Sequence, residues 1–523
     1  MGICYNLILV TYGLILCNLR LINGFGTYGF NIHHRYSDPV KGILDIDDHN
    51  LPKMGSLYYY SAMAHRDRLF HRRRLAGSGS GDPSLESSLT FLDGNETFRI
   101  PALGYLHYAN VSVGTPSLWF LVALDTGSDL FWIPCDCQSC VKGLVTRTGR
   151  QLDFNIYSPN TSSTSDKVPC NSSSCELRKE CTGKTDICPY QVNYVSPNTS
   201  STGILIEDIL HLTTEDSTMK AVNAKIKFGC GMYQTGSFLE GGAPNGLFGL
   251  GMKNISVPST LASNGLAANS FSMCFGSDGL GRINFGDKGS SDQGETPINL
   301  GTQHQTYNIS MTKVAVGNNV TNVDFTAIFD TGTSFTYLND PAYSVISKSF
   351  DSQIKEARSR PSSDLPFKHC YNLSPEQNFT APLINLTMKG GDPFTVMDPL
   401  VFVLSENSSD VCLGIVKSED INIIGQNFMT GYRVVFDREK NILGWKPSNC
   451  YKDINIESIT PAPSPLPSPA GSPPMSEGPR PMSRNVSPNS SKVNTENTAS
   501  TISYTSFILI VSIFTNFLMV VSM

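Results

Sequence analysis

Two short stretches carry the residues best suited to acid–base chemistry, Asp125-Thr126-Gly127-Ser128 and Asp330-Thr331-Gly332-Thr333. Each sets a carboxyl group beside a glycine that lets backbone N–H groups approach it. Each also places a hydroxyl three positions on, able to donate to a carboxylate oxygen and so stabilise the ionised form. Two carboxylates forced together across a groove cannot both stay ionised, because like charges in a shaded cleft repel, so they hold one proton between them. Such a pair offers a general base and a general acid at the same pH. A water held between them can then be driven onto a peptide carbonyl without a covalent intermediate, and either carboxyl can carry the proton.

Both copies need an element that delivers the Asp at a fixed place. Apolar leaders precede them, Phe120-Leu121-Val122-Ala123-Leu124 and Phe325-Thr326-Ala327-Ile328-Phe329, and their β-branched and aromatic content predicts buried strands ending at the Asp. Further upstream lie Val111-Ser112-Val113-Gly114 and Val314-Ala315-Val316-Gly317, alternating segments closed by glycine. Downstream come Leu247-Phe248-Gly249 and Ile423-Ile424-Gly425. The order strand, Asp-Thr-Gly, apolar-apolar-Gly thus occurs twice, which predicts two related β-rich lobes. Few helices are expected, one of them starting at Pro341-Ala342-Tyr343.

On these paired motifs, from about Tyr105 to Cys450, the chain resembles pepsin-type aspartic endopeptidases. Within them it resembles the plant nucellin-like and nepenthesin-like branch and its membrane-anchored aspartyl protease family proteins. The resemblance implies a mostly β, bilobal fold, two related β-barrel lobes flanking a cleft, with Asp125 and Asp330 catalytic. It also implies that Thr126 and Thr331 bond across to the backbone of the opposite loop, with Gly127, Ser128, Gly332 and Thr333 supporting the carboxylates. In such enzymes a hairpin flap closes on substrate through a Tyr braced by a Trp from the first motif's strand, and Tyr194 and Trp132 match these. The chain departs from its relatives at the flap tip, where Val195-Ser196-Pro197-Asn198 stands in place of Gly-Asp-Gly-Ser; a stiffer tip is implied. The implied activity is acid-favouring hydrolysis of extended peptides with apolar residues at the scissile bond, by a monomer without cofactor or metal, on peptide or protein substrates. The rival reading is a catalytically inactive cell-surface binding or inhibitor protein on the same fold, as among plant xylanase-inhibitor relatives. Relatives that lose activity tend to lose one Asp motif, and both are intact here.

The rest of the chain frames this body. With 523 residues, 16% of them charged, and a net charge of -6, it has cores to bury and no basic face for nucleic acid. Residues 1–24 read as a secretory signal peptide, apolar from Ile3 to Ile22 with small Gly24 and Gly26 beyond; an N-terminal membrane anchor is the alternative. Residues 25–90 read as a propeptide without strong strand alternation, bearing His65-Arg66-Asp67-Arg68 and His71-Arg72-Arg73-Arg74 before a Gly/Ser hinge at Gly77 to Gly81. The resemblance implies that this basic segment lies over the cleft against the carboxylates, a pairing acid weakens; a merely solvated basic helix is the alternative. The lobes follow at 91–295 and 296–452.

Of fourteen cysteines, Cys4 and Cys17 fall in the leader, and an even set remains in the body. In a secreted chain these read as disulfides; zinc is disfavoured because no His lies near Cys135, Cys137 and Cys140. The resemblance implies the pairs Cys170–Cys188, Cys175–Cys181, Cys230–Cys450 and Cys370–Cys412, leaving the other four open. Many Asn-x-Ser/Thr sites, Asn160, Asn171 and Asn254 among them, fit a glycosylated extracellular surface. Residues 453–497 read as a Pro/Ser-rich stalk and 498–523 as a GPI-attachment signal, with Asn497 as the anchored residue and Ser490 as runner-up. A retained tail helix is the alternative. The destination so implied is the outer face of the plasma membrane, reached through the secretory pathway, with the membrane a partner through the anchor.

Other protease chemistries fit poorly. The body's histidines, His107, His211, His304 and His369, are scattered and form no His-Glu-x-x-His pattern. The run Gly77-Ser78-Gly79-Ser80-Gly81 matches a nucleophile elbow in letters only, since it sits in the hinge. Cysteine catalysis needs a free thiol, against the even count.

Overall fold

The computed structural model describes residues 106–450 apart from short stretches, together with residues 27–35, scattered positions from 37 to 67, and a hairpin of 90–93 with 96–99. The signal peptide 1–24, the Gly/Ser hinge, the flap tip 195–198, the stalk 453–497 and the tail 498–523 with Asn497 lie outside the described residues.

The body is mostly β. In its first half the strands His107–Val113, Leu118–Asp125, Leu247–Gly249, Trp132–Ser139, Ala221–Gln234 and Ser200–Thr213 pair in that order. The last returns to the first through Leu210 opposite Val113, closing the sheet on itself. Closure leaves no bare edge and puts both faces of the first motif's strand indoors. Phe120, Leu121, Val122 and Ala123 are accordingly all fully buried. That burial explains why the leader reads as one apolar run, each large side chain contributing about 1.5–3 kcal/mol.

The second half builds a seven-stranded sheet around Asn308–Val316 and Asn319–Phe329, with a three-stranded sheet of Cys370–Asn372, Ser409–Leu413 and Leu400–Leu404. Unlike the first, its ladder stays open. The second leader therefore differs from the expectation of a fully buried strand. Val323, Phe325, Ala327 and Phe329 are buried while Asp324 and Thr326 between them are exposed, the alternation of a strand with one wet face. A helix, Ala342–Asp351, starts after Pro341 as expected and packs Ala342, Ile346 and Phe350 inward.

The same two-copy order that the sequence shows governs the pairing at each motif. Leu247-Phe248-Gly249 runs parallel to Ala123-Leu124-Asp125, and Ile423-Ile424 runs parallel to Ile328-Phe329. The halves are then stitched by shared strands. Tyr432–Asp437 and Ile442–Pro447 return to extend the first half's sheet, Phe436 pairing with Phe271.

Into that sheet enters a strand the sequence did not suggest. Tyr28–His34 lies between Leu280–Phe285 and His107–Val113. Its inward residues, Tyr28, Ile32 and His34 with half-buried Phe30, do alternate, but a glycine and two histidines dilute the apolar signal. Residues 28–34 are thus part of the folded sheet rather than a layer over it.

Six disulfides tie the body, and three of the implied pairings are corrected. Cys135 bonds Cys230, because the parallel ladder sets Cys230 opposite Ile133, with Cα atoms 4.8 Å apart. Cys450 instead meets Cys274, brought to it where the returning C-terminal strands pair with Ser270–Phe275. In the 170–188 loop, Cys188 is drawn inward with Cys175 beside Val168 and Leu205, so the bonds are Cys175–Cys188 and Cys170–Cys181. Cys370–Cys412 is the pair the resemblance implies, and Cys137–Cys140 completes the set. Cys274–Cys450 spans 176 residues and Cys137–Cys140 only 3. Replacing both members of the first by Ser should therefore lower unfolding stability by about 3–5 kcal/mol, against about 1–2 for the second. Urea midpoints of the two double variants check the order.

Candidate active site

Asp125 ends the strand Leu118–Asp125, and its backbone carbonyl accepts from Leu250 N at 2.9 Å, just past the parallel Leu247–Gly249. Asp330 follows Asn319–Phe329, and its N–H donates to the Ile424 carbonyl at 3.1 Å. Each Asp is thus pinned by the apolar-apolar-Gly segment of its own half. The turn that follows then folds back onto the carboxylate. Gly127 N donates to Asp125 Oδ1 at 2.9 Å and Gly332 N to Asp330 Oδ1 at 2.9 Å.

The two loops touch through their threonines. Thr126 Oγ1 and Thr331 Oγ1 are 3.3 Å apart, both side chains buried. The expected bond from each hydroxyl to the opposite backbone is replaced in this structure by a direct hydroxyl–hydroxyl contact. Asp125 and Asp330 both line one cleft cavity of ≈ 470 Å³.

The support is unequal. Thr333 Oγ1 donates to Asp330 Oδ2 at 2.9 Å, giving that carboxylate a donor on each oxygen. Ser128, its counterpart, does not hold Asp125; its buried hydroxyl lies beside Tyr194. Asp330 is buried where Asp125 is half-buried.

Tyr194 and Trp132 do meet. The indole Nε1 donates to Tyr194 Oη at 2.8 Å, and the flap hairpin closes through Tyr194 N to the Thr199 carbonyl at 2.9 Å. Burial, and next the charge of Asp125, push the Tyr194 phenol well above its usual range, so it stays a neutral donor. Sequence reasoning missed Phe238, whose ring stands 4.9 Å from both Trp132 and Tyr194 and packs against each edge to face. No motif marks it. The rest of the lining mixes apolar residues, Leu130, Leu177 and Ile255 among them, with charged Asp129, Glu176 and Lys253.

Arg66, within the basic cluster singled out in the sequence, lines the same cavity. Its Nη1 donates to the Gly332 carbonyl at 2.7 Å and lies 3.1 Å from Asp67 Oδ1. Asp67, the one acid in the His65–Arg68 run, was passed over. It is fully buried and accepts from Ser334 N, Ser334 Oγ and Phe335 N, the residues just after the second motif. Among the described residues no group of His, Cys, Asp and Glu is arranged to hold a metal.

Comparison with known proteins places this geometry. A family model described as xylanase inhibitor N-terminal matches residues 107–287, and one described as xylanase inhibitor C-terminal matches residues 306–447. The chain is 59% identical over 430 residues to aspartyl protease family protein 1 of Arabidopsis thaliana, covering 82% of each chain. It is 40% identical over 460 residues to aspartic proteinase-like protein 1 of the same plant, covering 83% of this chain and 84% of that one. Among solved structures, conglutin gamma from lupine seeds superposes with a TM-score of 0.52 at 21% identity, over 67% of this chain and 93% of that one. That last likeness shows the fold alone.

Two outcomes follow for the site. Asp125→Ala and Asp330→Ala should each lower peptide hydrolysis at least about 10³-fold, the scale of lost acid–base catalysis, while melting temperature holds. Trp132→Phe keeps the ring but loses the bond to Tyr194, worth about 1 kcal/mol, so kcat/KM should fall roughly fivefold.

Proposed function

Since the chain belongs to the pepsin-like plant aspartyl protease family, we propose that Asp125 and Asp330 together activate a water molecule for peptide-bond hydrolysis. The protein is an aspartic endopeptidase, and its substrates are peptides or proteins. The observation that carries the mechanism is the pairing, through Thr126 and Thr331, of two matching Asp loops whose aspartates line one cavity. One carboxyl, ionised, takes a proton from water as it attacks the carbonyl carbon. The other, protonated, donates a hydrogen bond to the carbonyl oxygen, and a proton passes to the leaving amine. Thr333 and Gly332 hold the Asp330 carboxylate by its oxygens, which favours its ionised form. The apolar lining at Leu130, Leu177 and Ile255 suits hydrophobic side chains flanking the bond, and main-chain bonds to the flap hairpin supply affinity for an extended peptide.

The family models' descriptions mention inhibitors, but a binding-only role has no need of two complete Asp-Thr-Gly loops. We also read the 25–90 segment as a prosegment, supported by Arg66 and Asp67 at the second loop. The monomeric, glycosylated ectodomain is held at the outer plasma membrane by a GPI anchor at Asn497. The polar spacer, small residues and apolar Phe507–Met523 tail support this.

Freed of residues 25–90, the body should cleave a denatured protein at acidic pH, and pepstatin should abolish that cleavage; cleavage indifferent to pepstatin would refute the mechanism. Phosphatidylinositol-specific phospholipase C should release the protein from intact cells, whereas a retained tail helix would leave it bound.

A further inference from the structure

The N-terminal strand reaches the active-site side of the body at its own C-terminal end. There His33 pairs with Tyr108 and His34 with His107, antiparallel. The His34 and His107 rings stand edge to face with centroids 5.6 Å apart, 3% and 4% exposed. Around them the described residues contribute charge of both signs, the arginines lying toward the histidines. From the strand come His33 and Arg35, the latter fully buried with its N–H on the Leu106 carbonyl. The 56–67 segment brings Tyr59, 6.3 Å from the His34 ring, with buried Arg66 and Asp67. The body strand contributes Tyr108, hydrogen-bonded to Gly242. The Phe275 ring lies tilted against His107, centroids 4.9 Å apart, and Gln426 Nε2 lies 3.4 Å from His107 Nε2. Asp330 lies beyond Arg66. The carboxylate on this segment, Asp67, accepts from Ser334 and Phe335 and pairs with Arg66 at 3.1 Å, so it faces away from the two histidines.

We propose that His34 and His107 form an acid-triggered release for the N-terminal segment: neutral, they pack across the junction, and protonated, they repel each other, Arg35 and Arg66, and expel the segment from the cleft. The inference rests on the prosegment reading above. It places the trigger in a histidine pair at the edge of the site instead of in protonation of the catalytic carboxylates.

The sign follows from the environment. Burial, then the neighbouring His107, Arg35 and Arg66, hold His34 well below 6.5. Burial, then Arg66 and His33, bring His107 down to about 3. A base depressed in the docked state stabilises docking fully above its free value near 6.5, and that contribution is lost as pH falls toward the docked value. Each histidine then weakens docking by up to about tenfold per pH unit. Asp67 acts oppositely. Burial raises it from 3.8 to about 6, so between those values acid favours its docked form and offsets one histidine. His33, lowered by burial, acts in the same direction as the pair, so the net expectation is at least about tenfold weaker docking per pH unit between about pH 6 and 4.

The test uses the full chain carrying Asp125→Asn, which cannot cleave itself, and reads hydrogen exchange of the 28–34 amides from pH 7 to 4, corrected for intrinsic rates. The opening constant should rise about tenfold per unit below pH 6. Adding His34→Gln and His107→Gln should abolish or reverse that slope. A slope unchanged by the two substitutions overturns the histidine assignment. NMR titration of the imidazoles in the Asp125→Asn chain gives a check that needs no further variant: both rings titrating near 6.5 with the strand still protected overturns it as well. Amides of 28–34 unprotected at pH 7 would instead refute the docked prosegment itself.

Discussion

The fold is organised around holding two carboxyl groups of matching loops at one spot. The contact that does so, Thr126 to Thr331 at 3.3 Å, is worth only about 1 kcal/mol by itself. It persists because each loop is clamped before it reaches the other, by the parallel segment that crosses beneath it. The crossing is tight in both halves. A Cβ at Gly249 would come 2.4 Å from the backbone carbon of Asp129, and one at Gly425 would come 2.2 Å from the Phe335 carbonyl oxygen. Only glycine lets the loop lie flat on its support, so the third residue of each apolar-apolar-Gly triplet is as much a part of the site as the aspartates.

Duplication yields near-symmetry, and the departures from it assign different tasks to the halves. Asp330 sits deeper and has donors on both oxygens. Asp125 lies within electrostatic reach of Tyr194, which Trp132 and Phe238 brace. The cavity lining comes chiefly from the first half, while the second contributes Asp330, Gly332 and Thr333. The second half's share is where Arg66 and Asp67 are seated. The open cavity is therefore the part of the cleft that the N-terminal segment leaves free.

Much of this was legible in the sequence because the chemistry is local. The two tetrapeptides, their leaders and the trailing triplets fall within contiguous stretches, so periodicity and turn residues report them directly, and Trp132 and Tyr194 lie near recognisable marks. What stayed hidden depends on contacts between distant residues. Phe238 matters only because the barrel closes beside Trp132. Cys230 pairs with Cys135 because of a parallel register that no spacing encodes. Cys274 meets Cys450 because the last strands return to the first half's sheet. The strand at 28–34 was missed since its alternation is carried by histidine as well as by Tyr and Ile. Asp67 was missed since an acid inside a basic run reads as a solvated neighbour, whereas here it is buried and accepts from Ser334 and Phe335.

On the prosegment reading proposed above, the N-terminal strand also changes what activation involves. It forms six ladder pairs with Leu280–Phe285 and two with the body strand that leads to the first motif, and it buries Ile32 completely. Cutting the chain at the glycine-rich hinge severs a covalent link but none of these contacts. A cut protein would still hold the strand in its sheet and Arg66 on the Gly332 carbonyl. Clearing the cleft is then a separate dissociation with its own free energy, opposed by the bare strand edges it leaves behind. On that reading a term near the site must oppose these contacts, and charge placed in a buried pocket is one that a change of pH can turn on.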